Sequence, residues 1–174
     1  MTGTRQVKKP LALMLILIVG GVALDQITKA LAIAWLVPGR PVPIVSDLLQ
    51  FDLWRNPGAA FSTGAGLTVG FAVLALLVLI AVSVFVLPRV RCLVWAIAIG
   101  MGMAGVAGNF IDRLVRPPGP FRGYVIDFFS LKYFAIFNVA DILLTAAAVL
   151  IVVIALWVRV DLSGEHPVRE HAQS

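Results

Sequence analysis

The sequence has few of the side chains that enzymes most often use as nucleophiles or metal ligands. Its single cysteine, Cys92, allows no disulfide within the chain, and its two histidines, His166 and His171, both lie in a polar C-terminal stretch. A zinc site usually needs three or four Cys, His or acidic ligands. Serine and cysteine hydrolases need a histidine beside the nucleophile. We therefore expect no Cys/His metal site and neither a Ser–His nor a Cys–His catalytic pair.

Charged residues are also scarce, and long apolar runs take their place. Only 13% of the 174 residues are charged and 60% are hydrophobic, whereas about a quarter of the residues in a soluble domain are charged. A helix needs about 20 mostly apolar residues to cross a bilayer. Four runs have that length: 11–31, 67–87, 93–111 and 136–158. These observations predict an all-α integral membrane protein with four transmembrane helices.

The connections between these runs indicate how the chain is oriented in the membrane. Basic residues are concentrated before the first run and in the short connection between the second and third runs, which favours cytoplasmic N and C termini. The two long connections, 32–66 and 112–135, would then lie together on the extracytoplasmic side. Each contains an alternating segment typical of a strand, at 49–53 and at 123–129. We expect a small extracytoplasmic β-patch resting on the helical bundle.

The whole chain, 1–174, is expected to form one membrane-embedded domain. Its polar tail at 161–174 is expected to be solvated and mobile. The net charge of +5 suits the anionic headgroups at a membrane surface, so membrane lipids are expected partners. No motif favours nucleic-acid binding, and we expect the protein to be a monomer.

Acidic and amide side chains lie near the same ends of three predicted helices. Ionisable groups inside a membrane are costly and are usually paired or functional. Asp25 lies near the end of the first helix, Asn109 and Asp112 lie at the end of the third, and Asp141 lies one turn into the fourth. Because successive helices alternate in direction, these residues are expected at one level of the bilayer.

Three interpretations of this cluster remain open from the residues alone. The side chains could form ion pairs and caps at helix ends, for example Asp112 with Arg113 or Asp25 with Lys29. They could relay protons in a transporter, although a relay would usually extend through the membrane. Two neighbouring aspartates could also share one proton, so that one activates a water and the other donates to a substrate carbonyl. The composition does not separate a transporter, a non-enzymatic assembly factor and an aspartic protease.

Five short motifs, in this order, resemble those of the lipoprotein signal peptidase family, also called signal peptidase II. They are DQITK at 25–29, NPGAAFS at 56–62, GNFIDR at 108–113, VIDF at 125–128 and FNVAD at 137–141. The resemblance extends over almost the whole chain, and the order of the five motifs makes it specific. It implies an aspartic endopeptidase with four transmembrane helices and an extracytoplasmic β-cradle, which needs no metal or organic cofactor.

The resemblance also implies roles for individual residues. Asp127, from the second long connection, and Asp141, from the fourth helix, would be the catalytic pair that flanks the attacking water. The other motif residues would bind the substrate, make room for it or hold the aspartates: Asp25, Lys29, Asn56, Gly58, Ala60, Asn109, Asp112, Arg113, Asn138 and Ala140.

The implied substrates are lipid-modified prolipoproteins, cleaved just before the diacylglyceryl-cysteine so that the signal peptide is released. The implied location is the bacterial cytoplasmic (inner) membrane, with the active site near its extracytoplasmic face. The resemblance therefore favours the peptidase over the proton-coupled transporter and over the assembly factor.

Overall fold

The computed structural model describes residues 3–58 and 65–165, with side chains described from residue 9 onwards in the first part and from residue 68 in the second. Ala60, one of the predicted site residues, and positions 166–174 of the predicted mobile tail lie outside the described residues. The described chain forms four long apolar helices and a small antiparallel sheet of four strands. This architecture confirms the predicted fold class.

Each helix is long and apolar enough to cross a membrane. The segments that meet this condition are Lys9–Trp35, Thr68–Arg89, Leu93–Val115 and Val139–Val158. The α-helices themselves are α1 (Gly3–Trp35), α2 (Ala65–Ala81), α3 (Leu93–Val115) and α4 (Val139–Val153). Helix α2 continues in a π turn and a 3-10 turn, and α4 continues in a π turn: Val82–Val86, Leu87–Arg89 and Ile154–Val158. Large apolar side chains such as Ile16 and Leu77 are exposed, as on surfaces that face lipid.

The start of α4 differs from the predicted range. The helix begins at Val139 rather than at residue 136, because the residues before Asn138 pair in a strand. Asn138 Oδ1 accepts from the backbone N–H of Asp141, and the Asp141 carboxylate accepts from the backbone N–H of Asn138. This reciprocal capping box fixes the first turn of the helix. Helices α1 and α3 each extend about one turn beyond their predicted ends.

The four strands are connected in the antiparallel order β1-β2-β3-β4. They are β1 (Val42–Val45), β2 (Leu49–Asn56), β3 (Val125–Leu131) and β4 (Ala135–Phe137). The register between β2 and β3 places Arg55 opposite Ile126 and Trp54 opposite Asp127. Because side chains alternate along a strand, these two pairs lie on opposite faces of the sheet.

One face of the sheet packs on the C-terminal end of α1. Leu53 of β2 and Ile126 and Phe128 of β3 bury their side chains against Ala32 of α1. This apolar contact attaches the sheet to the helical bundle. Asp127 lies between two of these core residues in the sequence, so its side chain lies on the other face, where the start of α4 meets it.

Small residues let α3 pack closely against both α1 and α4. A Cβ atom added to Gly108 would lie 2.5 Å from Asp25 Oδ2, and one added to Gly105 would lie 2.5 Å from the backbone oxygen of Ala140. A larger residue at either position would displace a buried carboxylate or the backbone of α4. The close packing brings the first, third and fifth motifs together at one end of the bundle.

Candidate active site

Asn138 brings two aspartates within hydrogen-bonding reach of a single residue. Its Nδ2 donates to Asp127 Oδ1 at 2.6 Å, and its backbone N–H donates to Asp141 Oδ2 at 3.1 Å. Asp127 comes from β3 and Asp141 from the first turn of α4. The structure therefore places the two residues predicted to be catalytic beside each other, where the sheet meets the helical bundle.

Asp127 is buried, with 3% of its surface exposed. Asn56 Nδ2 donates to its Oδ2 at 2.9 Å, so each carboxylate oxygen accepts from a different asparagine. Burial is the main cause that raises the pKa of Asp127 to about 6. The hydrogen bonds from Asn56 and Asn138 and the charge of Lys29 lower this pKa, whereas the charge of Asp141 raises it. A carboxyl group that titrates this close to neutral pH is suited to proton transfer.

Asp141 is held by its own helix cap and by a second asparagine. Its Oδ1 accepts from Asn109 Nδ2 at 2.8 Å. Asn109 Oδ1 in turn accepts from Asn138 Nδ2 at 3.1 Å and from Lys29 Nζ at 2.9 Å. Because two donors face its oxygen, the amide of Asn109 presents its NH₂ group to Asp141.

The backbone of Gly58 orients Asn56 in a similar way. The N–H of Gly58 donates to Asn56 Oδ1 at 2.8 Å, which leaves the NH₂ group of Asn56 to face Asp127. Gly58 has a φ of +92°, a conformation that glycine adopts far more readily than other residues. A Cβ atom there would also lie 3.3 Å from Phe71 and 3.6 Å from Arg113 Nη2. The backbone conformation therefore favours glycine here, and a side chain would also require Phe71 to move slightly.

A buried ion-pair network lies behind the two aspartates. Lys29 Nζ lies 2.9 Å from Asp25 Oδ2 and 2.8 Å from Asp112 Oδ2, and all three side chains are 0% exposed. Arg116 Nε lies 2.6 Å from the other Asp112 oxygen, Oδ1. Two carboxylates are thus balanced by two cations, as buried charges generally require.

Each carboxylate of this network also holds the backbone beside one aspartate of the pair. Asp25 Oδ1 accepts from the backbone N–H of Ala140 at 2.9 Å, and Asp112 Oδ2 accepts from the backbone N–H of Ile126 at 3.2 Å. Each of these backbone groups belongs to the residue directly before an aspartate of the pair. The network therefore fixes both β3 and the first turn of α4 relative to α1 and α3.

Two residues of the network were not among the predicted site residues. Gln26 Nε2 donates to Asp25 Oδ2 at 3.1 Å and to Asp112 Oδ1 at 3.3 Å, and it lies inside the first motif. Arg116 follows Asp112 at the i,i+4 spacing that places side chains on one helix face. The ion pair of Asp112 with Arg113, considered from the sequence, is not formed, because Asp112 pairs with Arg116 and with the lysine of α1.

Arg113 lies beside the pair of aspartates and outside the network. Its Nη1 donates to the backbone oxygen of Asn109 at 3.1 Å. Its Nε is buried and has no hydrogen-bond partner among the described residues. Buried donors in folded proteins almost always have a partner, so this N–H is an exception within the described part of the chain.

The arrangement suits acid–base chemistry on a water molecule. Asn138 bonds to both carboxyl groups, and of two carboxyl groups close together one can be ionised while the other holds a proton. The ionised group can take a proton from water, and the neutral group can donate one to a carbonyl oxygen. A proton relay through Asp25 and Asp112 is less well supported, because both are paired with cations.

The chain matches the family model of signal peptidase (SPase) II over residues 11–157. It is 42% identical over 135 residues to the lipoprotein signal peptidase of Mycobacterium avium (strain 104), a match that covers 78% of this chain and 74% of that protein. It is 40% identical over 152 residues to the lipoprotein signal peptidase of Mycolicibacterium smegmatis (strain ATCC 700084 / mc(2)155), covering 87% of this chain and 64% of that protein. The fold is similar to that of a bacterial membrane enzyme determined by the in meso method at 1.9 Å resolution, with a TM-score of 0.73 and 30% identity, covering 83% of this chain and 92% of that one.

Proposed function

The chain belongs to the signal peptidase II family and is therefore an aspartic peptidase that removes signal peptides from prolipoproteins, in which we propose that Asp127 and Asp141 are the catalytic pair. The observation that carries this assignment is the bonding of Asn138 to both carboxylates. Membership of a peptidase family does not support a proton-coupled transporter. It also does not support a non-enzymatic assembly factor, because the polar cluster then has a chemical role.

In the proposed reaction the two aspartates bind a water molecule and share one proton. The ionised carboxylate removes a proton from the water while the water oxygen attacks the scissile carbonyl carbon. The neutral carboxyl group donates its proton to the carbonyl oxygen. The tetrahedral intermediate then collapses, and a proton passes to the leaving nitrogen. The products are a signal peptide with a new carboxylate and a lipoprotein with a free amino group on its first residue.

The position of the pair fits a scissile bond at the membrane surface. Asp127 lies on β3 and Asp141 in the first turn of α4, at the level where α3 ends. We propose that this end faces the extracytoplasmic side of the bacterial cytoplasmic membrane and that both termini are cytoplasmic. Cleavage would fall just before the lipid-modified cysteine, whose acyl chains remain in the bilayer. We propose that the active unit is a monomer.

The purified protein should prefer a prolipoprotein whose cysteine carries the diacylglyceryl group. The acyl chains hold the scissile bond at the level of the pair, and each buried CH₂ contributes about 0.8 kcal/mol. We therefore expect kcat/KM to be at least about tenfold higher for the modified precursor. The measurement compares two precursors that differ only in the lipid and identifies the products by mass spectrometry.

The expected products are a signal peptide that ends directly before the cysteine and a protein that begins with the lipid-modified cysteine. Equal cleavage of the two precursors would contradict the proposed specificity for lipid. A folded protein that cleaves neither precursor would contradict the peptidase activity itself.

The pH dependence of cleavage should follow the proton that the pair shares. Because the pKa of Asp127 is about 6, the free enzyme holds this proton below that pH and loses it above. We therefore expect kcat/KM to fall about tenfold for each pH unit above the apparent pKa. The two aspartates interact, so that apparent value belongs to the pair as a whole.

Replacing Asn56 by alanine should shift the fall of kcat/KM to higher pH, because the hydrogen bond from Asn56 lowers the pKa of Asp127. Full pH profiles of the parent and of Asn56→Ala make the comparison. Gln50→Ala, on the same strand, is a suitable control and should leave the profile unchanged. If kcat/KM of Asn56→Ala falls at the same pH as in the parent, or at a lower pH, Asn56 does not lower the pKa of Asp127.

A further inference from the structure

A cavity lined by both apolar and basic side chains lies on the face of the sheet opposite the catalytic pair. Its volume is about 460 Å³, and it is lined by Ile33, Arg55, Arg116, Pro117, Tyr124 and Ile126. Arg55 and Ile126 are paired across β2 and β3, and side chains at these positions face away from the side that carries Asp127. The cavity is therefore separate from the active site.

The walls of this cavity carry two guanidinium groups and a phenol but no carboxylate. Arg116 uses its Nε to bind the buried Asp112, and no hydrogen bond joins its Nη groups to a described residue. Arg55 forms no ion pair within the described part of the chain. Lys29 and Arg116 together balance Asp25 and Asp112, so the excess positive charge at the cavity comes from Arg55.

The cavity opens at the depth where two membrane-spanning helices end. Helices α1 and α3 end at Trp35 and Val115. The apolar side chains of Ile33 and Val115 are 38% and 70% exposed, as expected of residues that contact acyl chains. Arg116 follows directly after this apolar surface, and Arg55 faces it from β2. Guanidinium groups at the boundary of the hydrocarbon layer are at the level of phospholipid headgroups.

We propose that this cavity binds the phosphate group of an anionic phospholipid. Guanidinium groups bind phosphate oxygens with paired, charge-assisted hydrogen bonds, and the hydroxyl of Tyr124 can donate another. The acyl chains lie along the exposed Ile33 and Val115. A choline headgroup would add a cation for which the lining offers no carboxylate, so phosphatidylglycerol binds more tightly than phosphatidylcholine. The bound lipid links β2, which carries Asn56, to the end of α3.

Native mass spectrometry of the protein purified in detergent measures this binding. Phosphatidylglycerol and phosphatidylcholine with identical acyl chains are titrated against the parent, Arg55→Gln and a control variant, Arg40→Gln. Arg40 is exposed in the loop before β1 and lies outside the cavity. Loss of a charge-assisted hydrogen bond should weaken binding of phosphatidylglycerol to Arg55→Gln about tenfold, whereas Arg40→Gln should bind like the parent. Tyr124→Phe, which keeps the ring, should weaken binding by a smaller factor.

Three results would overturn the proposal. Equal losses in Arg55→Gln and Arg40→Gln would mean that lipid is attracted to the whole surface and not to this cavity. Equal affinity for the two lipids would exclude selectivity for an anionic headgroup. Inorganic phosphate that displaces phosphatidylglycerol at equal concentration would identify free phosphate, and not lipid, as the ligand. Because binding is measured without substrate, these results are independent of the assignment of the catalytic pair.

Discussion

Release of the signal peptide should be lost when either Asp127 or Asp141 is replaced by asparagine, while the protein remains folded. An asparagine can neither take a proton from water nor give one to the substrate. Positioned acid–base groups accelerate reactions by about 10²- to 10⁴-fold. We therefore expect each variant to cleave a diacylglyceryl-modified precursor at least about 100-fold more slowly than the parent. The measurement is the cleavage rate in detergent, with thermal unfolding recorded on the same samples.

Thermal unfolding is needed because asparagine does not reproduce every hydrogen bond of aspartate. Both oxygens of Asp127 accept from NH₂ groups of asparagines, so Asp127→Asn places one NH₂ group against another. A buried donor left without a partner costs about 1–3 kcal/mol. A moderate decrease in Tm is therefore compatible with a folded protein that has lost its chemistry.

Asp47→Asn is a matched control for these two variants. Asp47 is exposed and lies 3.7 Å from Lys132 Nζ at the surface of the sheet, so this control should cleave and unfold like the parent. The double variant Asp127→Asn/Asp141→Asn should be no slower than either single variant, because the two groups act as a unit. A folded single variant that cleaves at the parental rate would exclude that residue from the catalytic pair.

The helices and the aspartate pair can be predicted from the sequence for different physical reasons. The helices follow from apolar runs, because backbone groups in lipid must form their hydrogen bonds within the helix. Asp127 lies on a strand, outside every predicted helix, and its spacing from Asp141 does not indicate that they meet. That prediction depends on the motifs VIDF and FNVAD and on their resemblance to a family.

The motifs do not indicate which residues of the buried network pair with each other. Asp112 has arginines one and four positions later in the sequence, and only the second shares its helix face. The bonds from the backbone of Ala140 to Asp25 and from that of Ile126 to Asp112 join distant parts of the chain. They depend on how closely α3 packs against its neighbours. The first residue of α4 cannot be predicted from the sequence for another reason. A short apolar strand and an apolar helix turn have similar compositions.

Replacing Lys29 by methionine should lower the free energy of unfolding by about 3–5 kcal/mol, the usual cost of removing one partner of a buried ion pair. Methionine has a similar length but no charge, so Asp25 and Asp112 would lose the cation that they share at 2.9 and 2.8 Å. Both carboxylates also hold backbone N–H groups beside the proposed catalytic pair. The fraction that still folds should therefore cleave more slowly than the parent.

Denaturant unfolding in detergent, with the cleavage rate of the folded fraction, measures both effects of Lys29→Met. Lys132→Met is the control, because Lys132 forms an exposed ion pair with Asp47 and such pairs contribute about 0–1 kcal/mol. In Lys29→Met, Asp112 keeps its ion pair with Arg116, whereas Asp25 loses its cation. The double variant Lys29→Met/Asp25→Asn removes that unpaired carboxylate and should regain part of the lost stability. If Lys29→Met is as stable as the parent, or if the double variant is less stable than the single one, the buried lysine does not hold these carboxylates in place. A stable, folded Lys29→Met that cleaves at the parental rate would further show that the network is not needed to position the proposed catalytic pair.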